Sequence, residues 1–258
     1  MLLAGGCQNP ESLIQQGNIF YLNGEVGNAA LSYEQAREYP SVRAVADYNL
    51  GRILLEHGDA NRAVGYLQEG EGPLVKVFRA RAYRTLKNPD KARESLQGAS
   101  LDDPDVALEW ALLAAEESDW ERAMELLTLV KKSPLHWEEA TLEASDVKAR
   151  LGDVAGAARE LEILLSARPQ RTDVNYRLGR YHVEAGQYAR ADRHLRKAVE
   201  LDPASAPAVL WLGRAVEGQG KMQEARKIYT ELVNRLPPEN PVAAEAEKRL
   251  RLIGGENS

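Results

Sequence analysis

One spacing of small residues recurs along the chain and limits the possible folds more than any other feature. With Gly179 placed at position 8 of a 34-residue unit, the same frame extends over most of the sequence. Two units fit only when they are shortened to 29 and 31 residues. The seven units are 10–43, 44–72, 73–103, 104–137, 138–171, 172–205 and 206–239. A repeat of this length indicates an array of small stacked units.

Three columns of this alignment define the unit. Position 8 is always small: Gly17, Gly51, Ala80, Ala111, Ser145, Gly179 and Gly213. Position 20 is always alanine: Ala29, Ala63, Ala92, Ala123, Ala157, Ala191 and Ala225. Position 24 is always large: Tyr33, Leu67, Leu96, Leu127, Leu161, Leu195 and Tyr229. Two helices approach closely only where facing side chains are small, so we expect positions 8 and 20 to touch, with position 24 filling the space beside them.

Turn residues separate the two helices of each unit. Position 15 is glycine in five units, with Lys87 and Ser118 as the exceptions, and prolines stand near the unit borders. Proline removes a backbone donor and ends a helix, and glycine supports the turn conformation. These interruptions exclude a continuous coiled coil, which needs unbroken heptads.

At these residues the chain resembles the tetratricopeptide repeat family. The match is best at Leu178, Gly179, Ala191, Ala198 and Pro203. The resemblance implies an all-α fold, a right-handed α-solenoid of stacked antiparallel helix pairs in about seven units. Residues 240–253 read as a C-terminal capping helix and residues 254–258 as a tail, because Asn240 and Pro241 suit a helix start and an apolar stripe follows. Such a cap solvates the end of a repeat array.

Two units depart from the pattern at position 7. Arg79 stands there in the third unit and Trp110 in the fourth. Trp110, Trp120 and Trp137 are close in sequence, which favours packing in the core over a platform for a ligand. Because the second and third units are shortened, we expect a kink in the array at Gly70, Gly72 and Pro73.

Motifs for catalysis and cofactor binding are missing from the sequence. It has no phosphate loop, no dinucleotide fingerprint and no H-E-x-x-H pair, so we expect no enzymatic activity, no cofactor and no small-molecule substrate. His182 and His194 fall on opposite helices of one unit and could approach each other, but other metal ligands are lacking nearby. The net charge of −6 argues against nucleic-acid binding. An RNA-binding helical-repeat protein is the weaker alternative.

The first nine residues, 1–9, carry the single cysteine, Cys7. The stretch Ala4-Gly5-Gly6-Cys7 resembles the end of a bacterial lipoprotein signal, which implies a lipidated Cys7 and membrane contact only through that anchor. Gln8 in place of aspartate resembles an outer-membrane destination. Ala4 departs from the leucine that the family prefers, and a free thiol on a flexible tail is the alternative.

A partner is expected on one face of the first helices. Positions 2, 5, 9 and 12 are spaced by three and four residues, so they share a helical face, which in the family lines a concave groove. The residues that we expect to contact a protein or peptide with acidic side chains are Arg52, Arg81, Arg180, Arg214, Tyr48, Tyr176, Arg177 and Trp211. A charged face that is merely solvated is the alternative.

The resemblance therefore implies a non-enzymatic scaffold for protein–protein interaction. Envelope relatives assist the assembly of a pilus, a secretion system or a polysaccharide-export machine, so we expect an outer-membrane-anchored protein of the bacterial periplasm. A cytoplasmic adaptor is the alternative.

Overall fold

The computed structural model describes residues 9–255, and the regular secondary structure in that range consists of α-helices. The chain divides into two compact units, one ending at Ser133 and the other beginning at Pro134. The N-terminal unit contains α1 Pro10–Leu22, α2 Val26–Arg37, α3 Arg43–Glu56, α4 Ala60–Leu67, α5 Pro73–Thr85, α6 Pro89–Leu96, α7 Pro104–Glu116 and α8 Trp120–Val130. The C-terminal unit contains α9 Trp137–Arg150, α10 Val154–Ala167, α11 Thr172–Glu184, α12 Tyr188–Leu201, α13 Ala206–Gly218, α14 Met222–Arg235 and α15 Pro241–Gly255.

Within each unit, odd- and even-numbered helices form hairpins, and each hairpin packs on the next. The expected all-α repeat fold is therefore confirmed. The cores are built from alanine and larger apolar side chains that pack between consecutive helices, such as Ala36 of α2 with Ala46 and Leu50 of α3. Because every hairpin buries its apolar face against its neighbour, stability depends on contacts between adjacent repeats.

Inside a hairpin with glycine at position 8, the side chain at position 24 packs directly against that glycine. A Cβ added to Gly179 would lie 2.3 Å from Cγ of Leu195, and one added to Gly51 would lie 2.5 Å from Cγ of Leu67. The expectation that the large residue at position 24 fills the space beside position 8 is therefore confirmed in these hairpins. Position 8 is glycine in these hairpins because the side chain at position 24 occupies the space that a Cβ would need.

The turn between the two helices keeps one backbone conformation even where glycine is absent. Lys87 has a φ of 57° and Ser118 a φ of 64°, beside 69° at Gly186. The positive φ explains why glycine dominates position 15, since side chains with a Cβ adopt this region only at a cost. The two exceptions in the sequence therefore preserve the turn.

Short polar side chains start many of the helices. Asp103 accepts a hydrogen bond from the backbone N–H of Asp105 at 2.9 Å, so the acidic run at 102–105 acts as a helix cap. Asn240 likewise accepts from the N–H of Val242 at 2.9 Å. The helix that it starts, α15, extends to Gly255, two residues farther than predicted. Its residues Ala246 and Ile253 are buried against α14.

The two shortened repeats lose length at the end of their second helices. Both α4 and α6 have eight residues. At the end of α4, the guanidinium of Arg79 donates to the carbonyl oxygens of Leu67, Gln68 and Gly70 at 3.2, 2.8 and 3.3 Å. Carbonyls at a helix end need such partners. The unexpected arginine at position 7 of the third unit therefore closes the shortened helix before it.

Candidate protein-binding face

We define the first-helix face as positions 2, 5, 6, 9 and 12 of the first helix in each repeat. This face contains all the residues expected to contact a partner. Those eight residues are all partly exposed: Tyr48, Arg52, Arg81, Tyr176, Arg177, Arg180, Trp211 and Arg214. Their side chains differ in what they contact within the chain. That difference decides which of them are available to another protein.

In the N-terminal unit, Arg52 stacks on an aromatic ring. Its guanidinium carbon lies 4.3 Å from the ring centroid of Tyr21, whose hydroxyl donates to Oε2 of Glu56 at 2.6 Å. Among the described residues, no carboxylate forms an ion pair with Arg52, and its buried Nε has no hydrogen-bond partner. Arg52 thus keeps its positive charge on this face without internal compensation.

Arg81 and Tyr48 meet on the ring of Phe78. The rings of Tyr48 and Phe78 lie edge to face with centroids 5.5 Å apart, and the guanidinium carbon of Arg81 lies 5.1 Å from the Phe78 centroid. Both geometries are favourable for aromatic rings and cations. These contacts form an apolar strip with one arginine at its end.

The charge of Arg81 is compensated from inside the protein. Its Nε donates to Oε1 of Glu109 at 2.7 Å, and Nε of Arg84 donates to Oε2 of the same carboxylate at 3.2 Å. The Glu109 side chain has no exposed surface. A buried carboxylate is tolerated only when it is paired. Arg81 and Arg84 therefore hold the third and fourth repeats together.

In the C-terminal unit, one carboxylate accepts hydrogen bonds from three side chains. Asp146 accepts from the guanidinium groups of Arg177 and Arg180 and from the hydroxyl of Tyr181. Burial and the negative charge of Asp146 raise the pKa of Tyr181. The nearby Glu143 lies 3.4 Å from Arg177, but its burial still raises the pKa of its carboxyl group.

Arg214 has a different environment from Arg177 and Arg180. Its guanidinium carbon lies 4.0 Å from the ring centroid of Trp211, and within residues 9–255 no carboxylate forms an ion pair with it. Tyr176 and Trp211 both pack, partly exposed, on the same apolar cluster. The face of the C-terminal unit thus presents one uncompensated cation next to two aromatic residues.

Position 6 supplies the partners that the sequence reasoning missed. Glu109 at position 6 pairs with Arg81 at position 9 of the preceding repeat, and Arg177 at position 6 pairs with Asp146 at position 9 of the preceding repeat. The two pairs have the same geometry with opposite charges. Opposite charges at position 6 and at position 9 of the preceding repeat were therefore the signal for compensation of Arg81 and Arg177.

The two histidines expected to approach each other do so. The rings of His182 and His194 stack with centroids 5.6 Å apart. Nδ1 of His194 lies 3.2 Å from Oδ1 of Asn175, and Nδ1 of His182 lies 3.0 Å from Oε1 of Gln187. In the described part of the chain, no group of three His, Cys, Asp or Glu residues could hold a metal ion.

The proposed lipidation site, Cys7, lies outside the described residues. Among the helices that are described, none has both the length and the apolar character needed to cross a membrane.

The comparison with known families agrees with the repeat pattern. The family model described as tetratricopeptide repeat matches residues 14–74 and 176–241. No curated protein matches the sequence.

Several solved structures share the fold. The chain superposes on the Cut9–Hcn1 tetramer of the APC/C with a TM-score of 0.74 and 17% identity, covering 81% of this chain and 43% of that one. It superposes on PilW, a widely conserved type IV pilus biogenesis factor, with a TM-score of 0.71 and 20% identity over 78% of this chain and 97% of that one. For a tetratricopeptide repeat protein of Parabacteroides merdae, the TM-score is 0.69 with 16% identity over 95% and 98%. At these identities, the similarity establishes the fold.

The histidine pair predicts that stability depends on pH. Burial lowers the pKa of both His182 and His194 below 6.5. The unfolded chain therefore binds more protons, so the pair's contribution is complete above pH about 6.5 and is lost as the pH falls through the folded pKa values.

Urea unfolding at pH about 7.5 and about 5.5 measures this effect. His194→Gln should lose less stability on acidification than the wild type, and His57→Gln should behave as the wild type. An identical loss in the wild type and His194→Gln would contradict the prediction.

Proposed function

Because the chain belongs to the tetratricopeptide repeat family, we propose that it is a non-enzymatic scaffold that binds another protein through the first-helix face. Proteins with this repeat generally act in protein–protein interaction, and the repeats expose a face of regularly spaced side chains for it. The observation that carries the proposal is the position of Arg214 over Trp211 without an internal carboxylate.

The proposed contact in the C-terminal unit consists of Arg214, Trp211 and Tyr176. An arginine held over an aromatic ring keeps N–H groups available for a carboxylate, while the rings offer apolar area. Arginine and tryptophan are also the residue types that most often dominate binding at interfaces. The partner would therefore place an acidic side chain on Arg214 and an apolar one beside Trp211.

Arg52 with Tyr21 and Tyr48 forms a second contact of the same kind in the N-terminal unit. Arg81, Arg177 and Arg180 are assigned a supporting role here, because each already bonds to a carboxylate of its own chain. Replacing one of them should alter the folded protein before it alters a partner contact. The direct partner contacts proposed among the original eight residues are therefore Tyr48, Arg52, Tyr176, Trp211 and Arg214.

We also propose that the protein works in the bacterial envelope. Two observations support this location: the resemblance of residues 4–7 to a lipoprotein signal, and the structural similarity to PilW. Assembly of a pilus is the envelope process that this similarity favours. A cytoplasmic adaptor with the same repeats is the alternative.

Charge reversal on the proposed face tests the binding role. Arg214→Glu should remove most of the affinity for a protein partner recovered by pull-down, because an acidic partner is repelled and the stack on Trp211 is lost. Arg193→Glu, an exposed arginine on α12, is the matched control and should bind as the wild type. Titration calorimetry at several salt concentrations measures both, and wild-type affinity should fall as salt screens the contact.

Urea denaturation should show that Arg180→Glu lowers the free energy of unfolding, since the substitution places a second negative charge against Asp146. Binding by Arg214→Glu that equals the wild type, with the same dependence on salt, would show that the face is only solvated.

Membrane fractionation tests the proposed location. When the full-length gene is expressed in its native cells, the protein should partition with the membrane, and Cys7→Ser should release it. A single acyl chain binds a membrane only marginally, so stable retention requires the several chains of a mature lipoprotein. Recovery of Cys7→Ser in the membrane fraction at the wild-type level would rule out the anchor.

A further inference from the structure

A cavity of about 160 Å³ lies in the C-terminal unit, where α10 and α12 begin and α11 ends. The first turn of α10 lines it with Val154 and Ala155, and the start of α12 lines it with Gln187. The remaining polar lining consists of Arg159, Glu162, His182 and Arg190. A volume of this size holds about five water molecules, so it suits an ion of a few atoms and is too small for a nucleotide.

The start of α12 lacks the side-chain cap that four other second helices have. In those repeats Asp or Asn at position 16 accepts a hydrogen bond from the backbone N–H three residues later: Asp59, Asn88, Asp119 and Asp153. Position 16 of the sixth repeat is Gln187, whose side chain makes no such bond. The N–H groups of Tyr188 and Ala189 have no hydrogen-bond partner in the described part of the chain. Free N–H groups and the helix dipole at such an end attract an anion.

The side chain of Gln187 is bonded to His182 instead. Its Oε1 lies 3.0 Å from Nδ1 of His182 and 3.5 Å from Nη1 of Arg190. Since this oxygen can only accept, Nδ1 of His182 carries the proton and Nε2 is an acceptor. His182 is only 4% exposed, and Nε2 has no hydrogen-bond partner among the described residues. A buried acceptor without a donor costs free energy, so a ligand with a hydroxyl at this place would be favoured.

The charges in the lining are not compensated within the chain. There are two guanidinium groups, those of Arg159 and Arg190, against the one carboxylate of Glu162. Within residues 9–255 none of these three side chains takes part in an ion pair. Arg193, also on α12, adds positive charge near His182. The starts of α10 and α12 contribute the positive ends of two helix dipoles, so the cavity favours an anionic ligand.

We propose that this cavity binds phosphate that still carries a proton. The guanidinium groups of Arg159 and Arg190 donate to its charged oxygens, and the free N–H groups at the start of α12 donate to one of them. Its hydroxyl donates to Nε2 of His182. Bound phosphate thus takes the place that a capping aspartate has in other repeats. The site is separate from the first-helix face, so it does not depend on the proposed function.

The donors and the acceptor in the lining distinguish phosphate from other oxyanions. A carboxylate offers two oxygens on one carbon, which is fewer than the two guanidinium groups and the helix start can use. Sulfate has the shape of phosphate but carries no proton at neutral pH, so it leaves Nε2 of His182 without a donor. Phosphate should therefore bind more tightly than sulfate, and sulfate more tightly than acetate.

Titration calorimetry of the full chain with inorganic phosphate at neutral pH measures the affinity. Saturable binding is expected, with sulfate weaker by about fivefold or more, because a buried acceptor is left unsatisfied. Nitrogen-15 NMR gives the location. The backbone resonances of Tyr188 and Ala189 and the imidazole resonances of His182 should shift together as phosphate is added.

Arg190→Gln removes one charged donor. It should weaken phosphate binding by about tenfold or more, which is the effect of losing a hydrogen bond to a charged group. Arg62→Gln is the matched control, because Arg62 has the same repeat position in α4 and the side chain of Asp59 already caps that helix. The control should bind phosphate as the wild type does.

Gln187→Asp keeps the test independent of folding defects. Aspartate is a favourable residue at the start of a helix, so this variant should cap α12 with its own carboxylate and fold normally. The new carboxylate occupies the free N–H groups and repels an anion, so phosphate binding should be lost. Added phosphate should raise the Tm of the wild type, because a ligand stabilises the state that it binds, and should leave the Tm of Gln187→Asp unchanged.

Three results would overturn the proposal. They are no saturable binding of phosphate at concentrations up to about 10 mM, beyond the weak-binding range, equal affinity for sulfate and phosphate, or an equal loss of affinity in Arg190→Gln and Arg62→Gln. O-phosphoserine is the last probe. A phosphate monoester that binds more tightly than inorganic phosphate would assign the cavity to a phosphorylated partner instead.

Discussion

The contact between position 8 of the first helix and position 24 of the second is the constraint on which the four hairpins with glycine at position 8 depend. At Gly17 and Gly213 the missing Cβ makes room for the rings of Tyr33 and Tyr229, and at Gly51 and Gly179 it makes room for leucine. Helices held this close expose the same faces in every repeat. The direction of the first-helix face therefore depends on the same close approach that packs the two helices of a hairpin together.

The two shortened repeats differ in how the space at the end of the second helix is filled. Both lose the last turn of the second helix, and in both the residue at position 7 of the following helix is unusually large. Arg79 has donors that satisfy the carbonyls left at the end of α4. Trp110 has only one donor and a broad ring, so it borders a cavity instead of closing it.

The repeat pattern was sufficient to predict the helical fold, the turns and the approach of His182 to His194. The pattern also predicted that position 24 fills the space beside position 8, as it does at Gly17, Gly51, Gly179 and Gly213.

The partners of the arginines were harder to predict. A column of arginines at position 9 looks uniform in the sequence, yet Arg81 and Arg180 contact carboxylates and Arg52 and Arg214 contact aromatic rings. The outcome depends on which residue of the adjacent repeat lies opposite, and that depends on how two hairpins pack. A single repeat considered alone does not contain this information.

The most direct test of the steric rule compares two glycines of one repeat. Gly51→Ala places a methyl group against Leu67, whereas Gly65→Ala, in α4 of the same hairpin, places it in open space. Gly51→Ala should lower the free energy of unfolding by about 1–3 kcal/mol. Gly65→Ala should raise it by up to about 1 kcal/mol through helix propensity. Urea denaturation measures both, and a Gly51→Ala protein as stable as the Gly65→Ala protein would contradict the account.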